Sequence, residues 1–275
     1  PITNAFCKER RSTNRFITMK TLRLIGMAIV AVIMSVNFTA CSDDDDEGEG
    51  NNGTSKKFIS ATYESGDASS FEYDNQGRIT KEVWDEYELR QEITEFTYEA
   101  NRIIATAYDI SSSSSADEKW ITNYELKDGI IASKVEYNPE GEAIVNVKYN
   151  YDSSKQLVSI EYSNSYNTNS EKLVKFIWQN GNITSMIDDD ATELSYTSLP
   201  YQFLGEATNV FDPDLINNTL FAQGFYGKCL TNLVKTERGY DHYDYIYTTD
   251  EEGYVTKVIM EYEDGDQWAC YCSWK

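Results

Sequence analysis

Along most of this chain apolar and polar residues change places every second position, in short runs separated by polar turns, which is the signature of strands with one packed face. One unit shows the grammar: Phe71-Glu72-Tyr73-Asp74-Asn75-Gln76-Gly77-Arg78-Ile79-Thr80-Lys81-Glu82-Val83-Trp84. Two alternating strands flank a turn in which Gly77 supplies a positive φ, while Asp74 and Asn75 can bond back to nearby backbone N–H groups. The turn-then-aliphatic signature returns at Asn101-Arg102-Ile103, Asp128-Gly129-Ile130, Lys155-Gln156-Leu157, Gly181-Asn182-Ile183 and Gly253-Tyr254-Val255. From Ile79 the aliphatic recurs at steps of 24, 27, 27, 26 and 72 residues. The shorter steps each hold two strands of about five to six residues and two connections. With no β-α-β rhythm between the turns, the pattern predicts an all-β, up-and-down antiparallel meander curled into an open or closed barrel.

The two-residue period also sorts the faces. Val145, Val147, Tyr149 and Tyr151 share one face, and Val158, Ile160 and Tyr162 oppose Leu157, Ser159 and Glu161. Lys148, Glu136, Glu161 and Lys175 are expected to face water. Polar loops at 111–115 and 163–170 contrast with tight turns such as Asn138-Pro139-Glu140-Gly141, and an end carrying the long loops is the expected contact surface. The rhythm breaks between Asp188 and Arg238. There Asp212 can cap, Pro213 can take a first helical position, and Leu215, Ile216, Leu220 and Phe221 precede a stop at Gly224, which predicts one short helix at about 213–223 that plugs one end of the sheet.

The N-terminus reads as an address. Met19 is followed by Lys20 and Arg23, an apolar run from Leu24 to Val36 and then Phe38-Thr39-Ala40-Cys41, the three parts of a secretory signal, and the run is shorter than the ~20 apolar residues of a spanning helix. Residues 1–18 lie before a plausible start, 19–40 form the signal and 41–56 a tether, which leaves 57–275 as a single β domain. A cysteine after Thr39-Ala40 resembles a bacterial lipobox, which implies lipidation at Cys41, a membrane partner through that anchor and an outer-membrane location. The run Ser42, Asp43, Asp44, Asp45, Asp46 resembles a surface-export tag of Bacteroidota lipoproteins, placing the domain on the cell exterior. Without residues 1–40 the chain keeps 18 basic and 45 acidic residues, a net charge of 18 − 45 = −27, which repels phosphate backbones and sets nucleic acid aside as a partner.

Candidate chemistry is sparse. His242 is the only histidine, on the strand face opposite Tyr243 and Tyr245. Cys229, Cys270 and Cys272 permit one disulfide from Cys229 to either partner in an oxidising compartment. The acidic turns at Asp188-Asp189-Asp190, Asp212-Pro213-Asp214 and Glu263-Asp264-Gly265-Asp266 lack the spacing of a calcium loop. No cofactor or metal site is implied, and no catalytic set stands out. The 21 tyrosines and 5 tryptophans are the feature most open to function, since exposed rings stack on sugars.

Three features together resemble a family of Bacteroidota lipoproteins: the lipobox with its acidic run, the Tyr-x-x-x-x-Gly-x-Ile hairpins, and Gly224-Phe225-Tyr226-Gly227-Lys228-Cys229-Leu230-Thr231-Asn232-Leu233. That family is described only as a domain of unknown function with a porin-like β fold, and the hairpins are also similar to the YD repeats of RHS-type surface proteins. The resemblance implies architecture and brings no catalytic residues. The expectation is a non-catalytic binding or scaffolding module for a glycan or an envelope protein. A glycan-processing enzyme is the alternative, and a membrane-embedded barrel is a further one.

Overall fold

A computed structural model describes residues 56–87, 89–111, 118–164, 172–208, 211–239 and 242–275. Sixteen strands follow one another in an antiparallel meander whose last strand pairs with the first, so the sheet closes into a barrel. They are β1 Phe58–Tyr63, β2 Ala68–Tyr73, β3 Ile79–Glu86, β4 Arg90–Tyr98, β5 Arg102–Ser111, β6 Trp120–Lys127, β7 Ile130–Tyr137 and β8 Ala143–Tyr151. The second half comprises β9 Leu157–Asn164, β10 Lys172–Gln179, β11 Asn182–Ile187, β12 Ala191–Pro200, β13 Asn232–Arg238, β14 His242–Thr249, β15 Val255–Tyr262 and β16 Gln267–Trp274. The chain ends meet: Lys57 and Lys275 exchange both backbone hydrogen bonds, at 2.7 and 2.9 Å.

The repeat signature forms turns at one end of the barrel. Asp74 Oδ1 accepts from the N–H groups of Gln76 and Arg78, Asp152 Oδ1 from those of Ser154 and Gln156, and Asp250 Oδ1 from those of Glu252 and Tyr254. After the turn comes a β-bulge. Register slips by one residue where β2 meets β3, β6 meets β7, β8 meets β9, β10 meets β11 and β14 meets β15. The bulge brings residues three apart onto the inner face, so Leu157 and Ile160 are both fully buried, as are Val255 and Val258.

Two face assignments from the simple alternation are thereby corrected. Leu157 joins Ile160 inside rather than opposing it. Glu136 turns into the lumen beside Lys134, because the bulge after Ile131 shifts the inward set of β7 by one position. Lys148, Glu161 and Lys175 do face water.

A second device sits beside each bulge. At the turn end, the aromatic near the close of an even-numbered strand donates to the carbonyl of an apolar residue near the start of the strand before it. The pairs are Tyr73 OH to Phe58 O, Tyr98 OH to Ile79 O, Tyr151 OH to Ile131 O, Trp178 Nε1 to Leu157 O, Tyr196 OH to Ile183 O, Tyr247 OH to Val234 O and Trp274 Nε1 to Val255 O. Six of these lie between 2.6 and 2.8 Å. Strand β6 departs from the rule because it carries Leu126, which has no donor, and Leu126 N bonds Asn101 O instead. Burial holds the phenols of Tyr73, Tyr98, Tyr151, Tyr196 and Tyr247 above the ordinary tyrosine pKa, so they remain donors at physiological pH.

A sixteen-stranded barrel is too wide for its own side chains to fill. The segment 201–231 between β12 and β13 enters at the turn end and fills it. It contains a 3₁₀ turn, Gly205–Thr208, and one helix, α1, Asn218–Ala222, with Leu220 and Phe221 almost fully buried. The plugging role expected of this segment is therefore met, but the helix is shorter than the sequence suggests. Its cap is Asn217, whose Oδ1 accepts from Leu220 N at 2.9 Å. Asp212 closes a separate turn, taking Leu215 N and Ile216 N on its carbonyl, so Pro213 precedes the helix rather than opening it. The plug is fastened to the bulges: Ile79 N donates to Gln223 Oε1, Ile131 N to Phe225 O and Val255 N to Gln202 Oε1. Gly227 packs so closely on the β8–β9 turn that a Cβ there would lie 2.2 Å from Lys155 O.

The aromatic clamps make a direct prediction. Tyr151→Phe leaves Ile131 O without its partner and should cost about 1–2 kcal/mol, whereas Tyr271→Phe, on an exposed outer ring, should cost under about 0.5 kcal/mol. Urea unfolding of both variants tests this, and equal losses would remove the clamp from the account.

Candidate functional site in the barrel lumen

The eight connections at the other end include those between β5 and β6 and between β9 and β10, the longest polar segments of the meander. Their residues 112–117 and 165–171 lie outside the described set. The lumen at this loop end is not filled as the turn end is, because inward side chains there keep partial exposure.

On one side lies a row of rings. Tyr63 of β1 stacks on Trp268 of β16, centroids 4.6 Å apart at 23°, and meets Trp84 of β3 at 5.0 Å. Tyr243 and Tyr262, on the adjoining strands β14 and β15, pack edge to face at 5.2 Å. Inward positions facing on successive strands produce this row. Tyr63 pairs with Cys270, Met260 with Trp268, and Tyr243 with Tyr262. Trp84, Trp268, Tyr243 and Tyr262 stay half-buried while Tyr63 is 2% exposed.

Beside Trp84, on β3 and the next two strands, is a charged cluster, with Trp84 facing Glu92 and Glu86 facing Arg90. Arg90 Nε donates to Glu86 Oε2 at 2.8 Å, Nη2 reaches Glu92 Oε1 at 2.8 Å, and Nη1 lies 3.4 Å from Asp109 Oδ2. Deeper, Lys134 Nζ sits 2.6 Å from Glu136 Oε1 and donates to Asp214 O of the plug. Lys172 pairs with Asp188 at the rim.

The floor is made by the plug. Glu206, on the 3₁₀ turn, is exposed, and yet its charge reaches both Glu82 of β3 and the phenol of Tyr63. Glu82 Oε2 accepts from Thr219 Oγ1 of α1 at 2.9 Å. Burial, with Glu206 nearby and against the Thr219 hydrogen bond, pushes the Glu82 carboxyl up to about 8. Beside them Tyr63 OH and Ser69 Oγ are buried next to each other, with no other hydrogen-bond partner. This floor escaped the sequence reading, because Glu82 stands in an alternating strand like any solvated acid and only the bulge at Thr80 and the plug give it its surroundings.

The residues singled out from sequence fall elsewhere. His242 is on the outer wall, with Nδ1 3.2 Å from Glu263 Oε2. Cys270 and Cys272 are free and buried, side by side with sulfurs 4.0 Å apart, so the expected bond from Cys229 to either is not formed. Cys229 is itself disulfide-bonded, though to neither of these two, and its sulfur lies in the plug 3.3 Å from Phe221 O. Asp188, Asp212 and Asp264 each use Oδ1 to accept the N–H two residues on, at 3.1, 3.0 and 3.1 Å, which is ordinary turn chemistry. Cys41, Ser42, Asp43, Asp44, Asp45 and Asp46 lie outside the described residues. Two shallow hollows, about 260 Å³ at Glu99–Arg102 and about 380 Å³ beside Ile121 and Tyr137, bring together no comparable set.

An antiparallel sixteen-stranded barrel with an internal plug and a polar, ring-lined mouth is a porin-like fold. The chain belongs to the family described as a domain of unknown function (DUF4595) with porin-like fold, which matches residues 71–257. Among solved structures it is similar to a porin-like protein from Bacteroides uniformis, at 14% identity and TM-score 0.57, covering 81% of this chain and 98% of that one. It is also similar to a porin-like protein from Bacteroides vulgatus, at 14% identity and TM-score 0.54, covering 78% and 97%. No curated protein matches the chain.

Glu82 gives the site a pH signature. A carboxyl whose pKa rises from 4.5 unfolded to about 8 folded binds more protons in the native state, so its contribution to stability is full below about pH 4.5 and fades as pH climbs through 8. Glu82→Gln should remove that part of the slope, leaving the variant more resistant to alkaline melting than the parent. Thermal melts between those limits check this, and parallel curves for the two proteins would contradict it.

Proposed function

We propose that the domain is a non-catalytic glycan-binding module, held at the outer membrane by a lipid on Cys41 and presented to the cell exterior. The observation that carries this reading is the ring row at the mouth of the lumen, in which Trp84 and Trp268 are half-buried and Tyr63 is buried between them. Flat rings held rigid by their own stacking offer apolar area to a sugar face at little entropic cost. The hydrogen-bonding groups that a sugar's hydroxyls need stand next to Trp84, on Arg90 and the carboxylates around it.

Chain direction supports the display. Strand β1 begins at the plugged end, so a tether over 42–56 leaves from there and can span up to about 50 Å. The ring-lined mouth then opens away from the anchor. A membrane-embedded barrel fits less well. The outer wall carries the cross-strand pair Lys148–Glu161, together with Lys81, Glu95 and Lys257, and each Lys or Arg placed at the middle of a bilayer costs about 2–4 kcal/mol.

A second reading, a glycan-processing enzyme, draws on Glu82 and Glu206. One carboxyl is held protonated by burial and the other is open to water, the division of labour that acid–base cleavage of a glycosidic bond requires.

One screen separates the two. The fragment 51–275, prepared without detergent, is passed over arrays of host and microbial polysaccharides, reading both retention and released product. Retention without product, lost in Trp268→Ala and Trp84→Ala by about tenfold or more, is the expected result. Product release dependent on Glu82 would favour the enzyme, and a fragment insoluble without detergent would restore the membrane barrel. Display is tested separately: replacing Asp43 to Asp46 with Ala should leave lipidation intact and protect the domain from protease added to whole cells. Undiminished cleavage would refute the export role of the acidic run.

A further inference from the structure

Charge at the lumen floor narrows the ligand class, on the reading that the lumen binds a glycan. Among the described residues, each inward cation at this end is already committed to acids. Arg90 faces Glu86, Glu92 and Asp109, Lys134 is held by Glu136, and Lys172 by Asp188. None is left to attract a uronate or a sulfate, and the acidic chain as a whole repels such polymers.

The floor is arranged for the opposite charge. Glu206 projects from the plug, exposed to the lumen, and its charge acts on Glu82, whose Oε2 accepts from Thr219 Oγ1. Beside them Tyr63 OH and Ser69 Oγ, on residues 2% and 1% exposed, are buried within reach of each other and of no other hydrogen-bond partner. A buried hydroxyl left short of its partners costs about 1–3 kcal/mol unless something satisfies it, and the two can meet only part of each other's need. They lie beside the ring row, since Tyr63 is itself its middle member.

We propose that the lumen selects a glycan bearing a free amino group, with the ring of the amino sugar on Trp84 or Trp268 and its ammonium between Glu206 and Glu82. Tyr63 OH and Ser69 Oγ supply hydrogen bonds to the same residue of the sugar. Because Glu82 is protonated in the free protein near neutrality, seating an ammonium beside it displaces that proton to solvent. Binding is therefore accompanied by proton release: the ligand stays an ammonium, the carboxyl becomes a carboxylate, and no other bond changes.

The test is calorimetric titration of fragment 51–275, which retains all sixteen strands, at neutral pH and low salt in two buffers of different ionisation enthalpy. The ligands are oligomers of glucosamine, of N-acetylglucosamine, of glucose with the same linkage, and of galacturonate. The glucosamine oligomer should bind about tenfold or more tighter than the two neutral oligomers, as expected for a charge-assisted contact. Galacturonate should show no heat. Only the glucosamine oligomer should release protons, and that release should vanish in Glu82→Gln; Glu206→Gln should shrink the preference for the amine.

Equal affinity for glucosamine and the neutral oligomers, or tightest binding of galacturonate, would overturn the inference while leaving the glycan reading in place. Failure of every oligomer would overturn both. Spermidine is the control for a free amine. If it binds as tightly as the glucosamine oligomer and is indifferent to Trp268→Ala, the ammonium site serves simple amines and the proposal for a sugar fails.

Discussion

The fold depends on how the barrel treats the backbone next to its bulges. A bulge is needed to curl the sheet tightly enough to close, but it interrupts the ladder and turns peptide groups towards the interior, where an unmet carbonyl costs about 1–3 kcal/mol. The chain answers with an aromatic whose ring fills the core and whose polar tip reaches the carbonyl, as Tyr98 does for Ile79, Tyr151 for Ile131 and Trp178 for Leu157. The abundance of tyrosine thus has a structural cause before it has a functional one. A phenylalanine would pack as well and leave the acceptor bare.

The same economy explains the insertion. Bulges also expose N–H groups, and the plug supplies their acceptors: Gln223 for Ile79, Phe225 for Ile131 and Gln202 for Val255. By closing the turn end, the plug packs that half of the lumen, and it lends a floor to the other half, where inward side chains keep partial exposure. Glu206 and Thr219 belong to the plug, Glu82 to the wall, and the site exists only where the two meet.

Much of this architecture is legible in the residues. Alternation gave the strands, Asp-x-x-Gly-x-aliphatic gave the turns, and Asp212 through Gly224 marked the insertion. What escaped has one physical origin. A period of two assumes an unbroken ladder, so each bulge flips the faces downstream; simple alternation puts Leu157 and Glu136 outside for that reason, and nothing in the pattern marks Glu82 as enclosed. The sequence predicts a longer helix than α1 because Asp212 caps a turn as readily as it caps a helix, and local sequence does not say which. Cysteine pairing is not legible in the sequence because it depends on distances that only the folded chain sets.

On the proposed reading the loop end of the lumen is a ring-lined glycan site floored by the plug. A crystal structure of fragment 51–275 soaked with the tightest ligand from the polysaccharide screen tests it most directly. The account predicts a sugar lying on Trp84 or Trp268 with polar contacts to Glu206 and the Arg90 cluster. A sugar bound on the outer wall, or a lumen packed shut at its loop end, would contradict it.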